Sequence, residues 1–440
     1  MLWGTETSKA VENFHISGEP IPPRVVHWLG RIKSAAAEAN AELGLIDADL
    51  AADIVVAGDA IAGGEHDAEF PIDVFQTGSG TSSNMNANEV ISALTEGRAH
   101  PNDHVNFGQS SNDVFPSAVH LAALEAAHDD LVPALDHLSD ALSTKAVEFV
   151  DVVKAGRTHL MDAVPVTLGQ EFAGYAAQVA SAGNQVAATL PELGRIPLGG
   201  TAVGNGLNTD PAFAALVRRK LGEKASPAVA ASIAAPADPF AAQAARDAMV
   251  ATSGALKVAA VALTKICNDL RWMSSGPRAG LGEIVLPELQ KGSSIMPGKV
   301  NPVIPEATLQ VCAQVIGNDT AITVAAMQGN FELNVMVPVM ARNLIGSIDL
   351  LTAAAEALAT KCVAGIEANV ERCLTLAELT LATATALNPE IGYDAATAIV
   401  KEAATSGRPL RDVARQHGVA DDVLDRVLDL RAIARGNASA

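Results

Sequence analysis

Between residues 111 and 366 apolar residues recur at helical spacing over runs far longer than the ~11–12 residues of an ordinary helix, and this limits the available folds most. The stretch SSNDVFPSAVHLAALEAAHDDLVPALDHLSDALSTKAVEF has Asn112 and Asp113 as cap candidates and Pro116 in its first turn. Its helical spacing persists to about 147, and Pro133 should kink or divide it. A short β-like piece, FVDVVKAGRTH, leads to a second long helix after Pro165. A third is capped at Asp238-Pro239 and runs to about Trp272. Pro302 opens a fourth, and another runs from Glu332 to about Ile366 with Pro338 inside it. Four or five rods of roughly 25–35 residues argue for a long helical bundle. Hydrophobic residues make up 49% of the chain but aromatics only 3%, and the apolar mass is mostly Ala, Val and Leu. Alanine packs helices closely and forms strands poorly, which points to an all-α (mainly) fold.

Three domains are expected. Residues 1–110 form an N-terminal, mainly helical domain, with one helix ending at Gly44 and another stopping at paired glycines, Gly63 and Gly64. Residues 111–370 form the central long-helix bundle. Residues 371–440, with NPEIGYD and short helices, form a small C-terminal helical domain. The formal charge of −20 repels phosphate backbones, which speaks against nucleic-acid binding. An anionic substrate would need its own local cation and donors. Cys267, Cys312, Cys362 and Cys373 show no C-x-x-C spacing and are expected as buried thiols in a reducing compartment. The start MLWGTETSKAVENF lacks a basic n-region and an apolar h-region, and Lys257, Lys265 and Asp269 interrupt the most apolar stretch. No run is expected to span a bilayer, and the expected location is cytoplasmic.

Four polar loops interrupt the apolar chain: Thr77 to Asn86, His100 to Asp113, Gly156 to Asp162, and Gly292 to Glu306. They are rich in Ser, Thr and Asn, with His100, His104, His159 and Lys299 among their few charges or titrating groups. Hydroxyls, amides and one Lys suit a small carboxylate. The same residues also cap and join helices. Familiar cofactor motifs fail: GSGTSS lacks the third glycine of a dinucleotide fingerprint, and in MPGKVN Lys299 is followed by Val300 rather than Ser or Thr. His100, Asp103 and His104 lie at helical spacing, but Pro101 intervenes, so no metal is expected.

GSSIMPGKVNP resembles the signature loop of the fumarase/aspartase superfamily, whose members cleave C–N or C–O bonds beside a carboxylate and release fumarate. The resemblance covers nearly the whole chain, from LWGTETSKAVENF to TALNPEIGYD. HPND with His100, QSSND with Ser110 and Ser111, and MPGKVNP with Gly298 look like class II fumarases; NPVIPE, LPELQ, SSGPRAGL and ELNVMVPVM look more like aspartases. Lys9 stands where an Arg is common in the family. The resemblance implies reversible addition of water to fumarate, giving (S)-malate in the tricarboxylic acid cycle, with water as co-substrate and no cofactor. An ammonia-lyase such as aspartase is the alternative, and a noncatalytic structural protein retaining the fold is a distant one.

The resemblance also implies residue roles. Ser293 is the base that removes the proton next to a carboxylate. Lys299 and Asn301 stabilise the resulting aci-carboxylate. Ser79, Thr81, Ser110, Ser111, Asn112, Thr158 and Ser294 bind the substrate through neutral donors. His159, partnered by Glu306, handles the proton of the leaving or attacking water. A free serine is too weak an acid for this role unless nearby backbone N–H groups, in a loop flanked by Gly292 and Gly298, stabilise its alkoxide. His100, Asn102 and Asp103 match a secondary dicarboxylate site, or equally a helix-cap cluster.

Residues 114–147 as helix would extend roughly 50 Å at about 1.5 Å per residue, which places Ser110 and His159 far apart in one chain. Both are assigned to one pocket, so different subunits must supply them. The resemblance implies a fumarase/aspartase-like central bundle flanked by two smaller domains, and the helix length adds a homotetramer with composite sites.

Overall fold

The structure, a computed structural model, describes residues 1–436, so the last four residues of the expected C-terminal domain lie outside the described residues. It is mainly helical, as expected. By internal contacts it divides into two units. The first comprises Met1–Ala134, Ala182–Val261 and Gln310–Ala353; the second comprises Leu135–Ser181, Ala262–Leu309 and the chain from Ala354 onward.

The first unit opens with α1 (Thr5–Asn13), α2 (Pro23–Glu42), α3 (Ala48–Ala62) and α4 (Thr81–Leu94). Glu89 of α4 accepts hydrogen bonds from the Gly4, Glu6 and Thr7 amides, which satisfies the orphan donors at the start of α1. Helix α2 buries Val25, Val26, Leu29, Ile32 and Ala36, the stripe expected of its apolar spacing. It meets α3 where Gly30 faces Gly58.

The first long segment differs from expectation at both ends of its first half. Helix α5 (Ser111–Glu125) is capped by Ser110, not by Asn112 or Asp113, and Asp113 completes a capping box at the third helical position. A π-helical segment, Ala126–Leu131, then separates α5 from α6 (Val132–Glu148). Pro133 has no N–H to donate and its ring crowds the carbonyl of Asp129, so the turn before it widens. The β-like piece is the first strand of a hairpin, β1 (Val153–Thr158) paired antiparallel with β2 (Met161–Thr167). Pro165 therefore lies in a strand, and the next helix, α7 (Leu168–Leu193), begins after it.

Three shorter helices follow: α8 (Phe213–Glu223), α9 (Pro227–Ser232) and α10 (Pro239–Ala244). The third long helix was expected to start at Asp238-Pro239, but the helix that starts there, α10, ends at Ala244 and α11 (Asp247–Met273) starts anew. The buried Arg246 guanidinium donates to the carbonyls of Ala242, Gln243 and Ala245 at 2.7–2.8 Å, taking up the last acceptors of α10. By length and composition α11 can cross a membrane, which corrects the expectation that no run could. Just over half of its most apolar window is buried within the protein, and Lys257 pairs with Asp319 at 2.6 Å, as in a core helix.

After β3 (Ile284–Val285), α12 (Val303–Ala326) begins next to Pro302 as expected. A two-stranded turn, β4 (Gly329–Asn330) with β5 (Leu333–Asn334), occupies what was expected to be the start of another helix. That helix, α13, runs Val337–Ala357, so Pro338 sits in its first turn, where a missing N–H is harmless. Strand β6 (Glu367–Ala368) pairs with β3. The C-terminal helices α14 (Val370–Leu379), α15 (Asn388–Ile391), α16 (Tyr393–Ser406), α17 (Leu410–Gln416), α18 (Asp421–Val427) and α19 (Leu430–Arg435) follow. Leu387, Ile399, Val413 and Leu424 form a small core of their own among them. Every boundary between the two units falls inside a helix: α6, α7, α11, α12 or α13. All four cysteines are buried, and no disulfide joins them among the described residues.

Candidate active site

In the first unit the TGSGTSS loop is shaped by two glycines. A Cβ at Gly78 would lie 1.8 Å from the Val335 carbonyl oxygen, and the Val337 amide donates to the Gly78 carbonyl. Gly80 has φ +72°, and a Cβ there would lie 2.1 Å from the Phe115 ring. Only glycine fits both needs. This tight approach sets Thr81 at the start of α4, where its hydroxyl is 2.8 Å from Ser111 Oγ at the start of α5. Ser79 Oγ lies 2.8 Å from Thr81 Oγ1, so three hydroxyls form a chain. Asn112 Nδ2 donates to the Ala202 carbonyl at 3.0 Å. Ser110 Oγ accepts from the Asn112 amide at 3.2 Å. Two helix N-termini thus meet through one hydroxyl pair. Their partial positive charge and neutral donors favour a carboxylate, despite the net charge of −20.

Beneath this cradle lies Asp113, fully buried. Its carboxylate accepts from the Ser110 amide at 2.9 Å, Gly199 at 2.8 Å and Thr201 at 3.0 Å. Burial raises its pKa to about 6, against those amides and the charge of Lys33. Lys33 of α2 is also fully buried, and burial pushes it down to about 7, with Asp113 opposing.

His100 caps the short π-helix Pro101–Val105, its Nδ1 accepting from the Asp103 amide at 3.1 Å. Asn102 and Asp103 line a cavity of about 480 Å³ with Asn106, Ser110, Thr201 and Ala202. His100 is exposed and is not among the lining residues.

In the second unit the β1–β2 hairpin carries Thr158 and His159. Thr158 pairs with Met161, so His159 and Leu160 form a two-residue turn, with φ of +57° and +60°. That is the backbone of a type I′ hairpin turn, normally given to Asn or Gly. A His and a Leu there are uncommon, and such strain clusters at functional sites. The register shift between Ala155 and Gly156 adds a bulge beside it. Both Thr158 and His159 are exposed. The hairpin is anchored by Arg157, which binds Glu283 with two 2.9 Å hydrogen bonds. Glu283 is wholly buried and also lies 3.6 Å from Lys154, which binds Glu171 at 2.8 Å. Buried ions that are this well paired hold the strand in one position.

The 292–301 loop closes on itself. The Gly292 amide donates to the Lys299 carbonyl at 2.9 Å, and Asn301 Nδ2 donates to the Gly292 carbonyl at 2.8 Å. A Cβ on Gly292 would lie 2.2 Å from the Lys299 carbonyl oxygen. Inside the loop, Ser293 Oγ accepts from the amides of Ile295 at 3.2 Å and Met296 at 3.0 Å. Ser294 and Lys299 are exposed, and Glu306 lies in the first turn of α12.

The candidates thus fall into two groups. Ser79, Thr81, Ser110, Ser111 and Asn112, with His100, Asn102 and Asp103, belong to the first unit. Thr158, His159, Ser293, Ser294, Lys299, Asn301 and Glu306 belong to the second. Among the described residues no hydrogen bond or ion pair joins His159 to Glu306 within the chain. Sequence reasoning missed Lys33, Lys154, Glu171 and Glu283, and took Asp113 only as a cap. One signal for Lys33 was present: it lies four residues after Leu29 and seven after Val26, on the apolar stripe of α2.

Residues 1–317 match a family described as Lyase, and residues 384–435 match the Fumarase C C-terminus. The chain is 52% identical to the class II fumarate hydratase of Mycobacterium tuberculosis over 99% of its own length and 93% of the relative's. It is 51% identical to that of Corynebacterium glutamicum, covering 98% of this chain and 93% of the other. Its fold matches the crystal structure of a class II fumarase from Schistosoma mansoni with TM-score 0.96 at 37% identity, covering 99% of this chain and 96% of that one. It also matches the fumarate lyase:delta crystallin from Brucella melitensis in native form, with TM-score 0.90 at 43% identity, covering 98% and 96%.

Proposed function

This chain belongs to the lyase family and, within it, to the class II fumarases, and from that premise we propose that it adds water reversibly to fumarate to give (S)-malate. The observation that carries the mechanism is Ser293 Oγ receiving two backbone N–H groups in a loop closed by Gly292. Those donors lower the energy of a serine alkoxide, which no isolated serine could form near neutrality.

In the malate-to-fumarate direction Ser293 takes the proton from the carbon beside one carboxylate. The electron pair left behind spreads into that carboxylate as an aci-dianion. Lys299 supplies an ammonium and Asn301 an amide where this charge develops. Thr81, Ser110, Ser111 and Asn112, with Ser79, Thr158 and Ser294, grip the carboxylates by neutral hydrogen bonds. The hydroxyl on the neighbouring carbon then leaves with a proton from His159 and becomes water. Glu306, brought beside His159 by another copy, orients the imidazole and supports its protonated form.

The site residues lie in two contact units of one chain and on separate loops. A homotetramer with composite sites unites them, His159 and Ser293 of one pocket coming from different copies. The reading extends to a cytoplasmic enzyme of the tricarboxylic acid cycle. It also keeps the three-part organisation 1–110, 111–370 and 371–440, which the separate C-terminal core supports. His100, Asn102 and Asp103 remain a candidate secondary dicarboxylate site on a cap cluster. Purified protein given malate should produce fumarate, read by its ultraviolet absorbance, and should give none from aspartate. Fumarate formed from aspartate alone would make it an ammonia-lyase instead.

A further inference from the structure

Lys33 has no apparent reason to be charged. It lies on the apolar stripe of α2 with no exposed surface, where a leucine would pack without desolvating an ammonium. Its hydrogen-bond partners are neutral: Asn106 Oδ1 at 2.8 Å and Gln109 Oε1 at 3.0 Å. Both amides turn their other end to the backbone of the same loop. Asn106 Nδ2 donates to the Gln109 carbonyl, and Gln109 Nε2 donates to the Val105 and Phe107 carbonyls. One ammonium, with its three donors, therefore fixes which way two side-chain amides face. Helix α4 adds Asn84 Nδ2 on Asn106 Oδ1 at 3.2 Å. From α5, Asp113 contributes the charge that acts on Lys33, and Asp113 in turn holds the Ser110 amide.

We propose that Lys33 is a positioning residue for the carboxylate cradle: by pinning Asn106 and Gln109, it holds the loop that delivers Ser110 and Ser111 to the start of α5. It touches no substrate and acts through the loop. The inference rests on reading Ser110 and Ser111 as substrate donors. Loss of the ammonium would leave Gln109 Oε1 without its donor and Asn106 Oδ1 with Asn84 alone, freeing the 105–110 turn.

Three variants of the full-length enzyme test this: Lys33→Met, Gln109→Leu and the double variant. Lys33→Met should raise KM for both malate and fumarate about tenfold or more while kcat falls less than about threefold, the mark of lost ground-state and transition-state binding alike. Gln109→Leu should shift KM in the same direction by less, and the double variant should be no worse than Lys33→Met alone, because both break one link. Amide exchange over residues 106–113 should quicken in Lys33→Met, while that of α7 stays unchanged. A KM within about twofold of the parent and unchanged loop exchange, with only the melting point lowered, would make Lys33 a structural cation and end the proposal. If Lys33→Met fails to fold, Gln109→Leu decides by the same readouts. If the parent enzyme does not turn over malate, the fumarase reading fails separately, and the exchange of residues 106–113 still decides the role of Lys33.

Discussion

His120 shows how a single buried group sets a pH limit on the whole chain. Its Nδ1 lies 3.0 Å from the Leu193 carbonyl oxygen, and its Nε2 is buried without a protein partner. Burial first, then the charge of Arg246, pushes its pKa down to about 3 from 6.5. The folded state therefore refuses a proton that the unfolded chain accepts. Its contribution is complete above pH 6.5 and is lost as pH falls from there toward 3. Between pH 7 and pH 5 this one group should lower stability by roughly 2 kcal/mol. Urea unfolding at both pH values should show the fall, and His120→Gln should flatten it. At the positions proposed as catalytic, Ser293→Ala and His159→Asn should each cut turnover by orders of magnitude while the size-exclusion profile stays that of the parent. A near-parental rate in either would remove that residue from the mechanism.

Elements here are placed by close approach as much as by apolar area. A Cβ on Gly30 would lie 2.5 Å from the Gly58 carbonyl oxygen, and one on Gly58 would lie 2.9 Å from the Gly30 carbonyl oxygen. Helices α2 and α3 therefore touch backbone to backbone. Gly30→Ala should force them apart and cost about 2–3 kcal/mol, with a lowered melting point despite alanine's better helix propensity. A melting point equal to the parent's would show that the pair can slide without loss. Because Lys33 stands one turn beyond Gly30 on α2, the same variant should also raise KM. The long helices were legible from apolar spacing, since that spacing is a local property. Their interruptions were not. Arg246 ends α10 by reaching its carbonyls, and Ser110 rather than Asn112 caps α5 because Asp113 completes the box. Side-chain partners of this kind do not show in periodicity.

At the scale of the whole molecule, the proposed site is one assembled from several copies. The carboxylate cradle and the Ser293 loop belong to different contact units, and His159 sits on an exposed hairpin turn. An inactive His159→Asn protein and an inactive Ser293→Ala protein, mixed, refolded and reassembled, should regain part of the parental activity. Some pockets in such hybrids would receive both native residues. Well-formed hybrids with no activity would exclude His159 and Ser293 from sharing a pocket across copies. The acidic surface makes the local cations and helix N-termini the features that draw a dianion in.

The amino-acid order alone determined that this protein is built of long helices, because a 3.6-residue apolar repeat can bury its face only as a helix. It also marked the loops proposed to carry the chemistry, because long polar motifs such as GSSIMPGKVNP interrupt that repeat. The tertiary structure decided which charges go inside. Lys33, Asp113, Lys154 and Glu283 read as ordinary polar residues in a string of letters. Their burial and pairing arise only when segments 50 to 130 residues apart come together, as Lys33 with Gln109 and Arg157 with Glu283 do. Local spacing cannot encode such contacts, because the desolvation that gives them their meaning belongs to the packed interior.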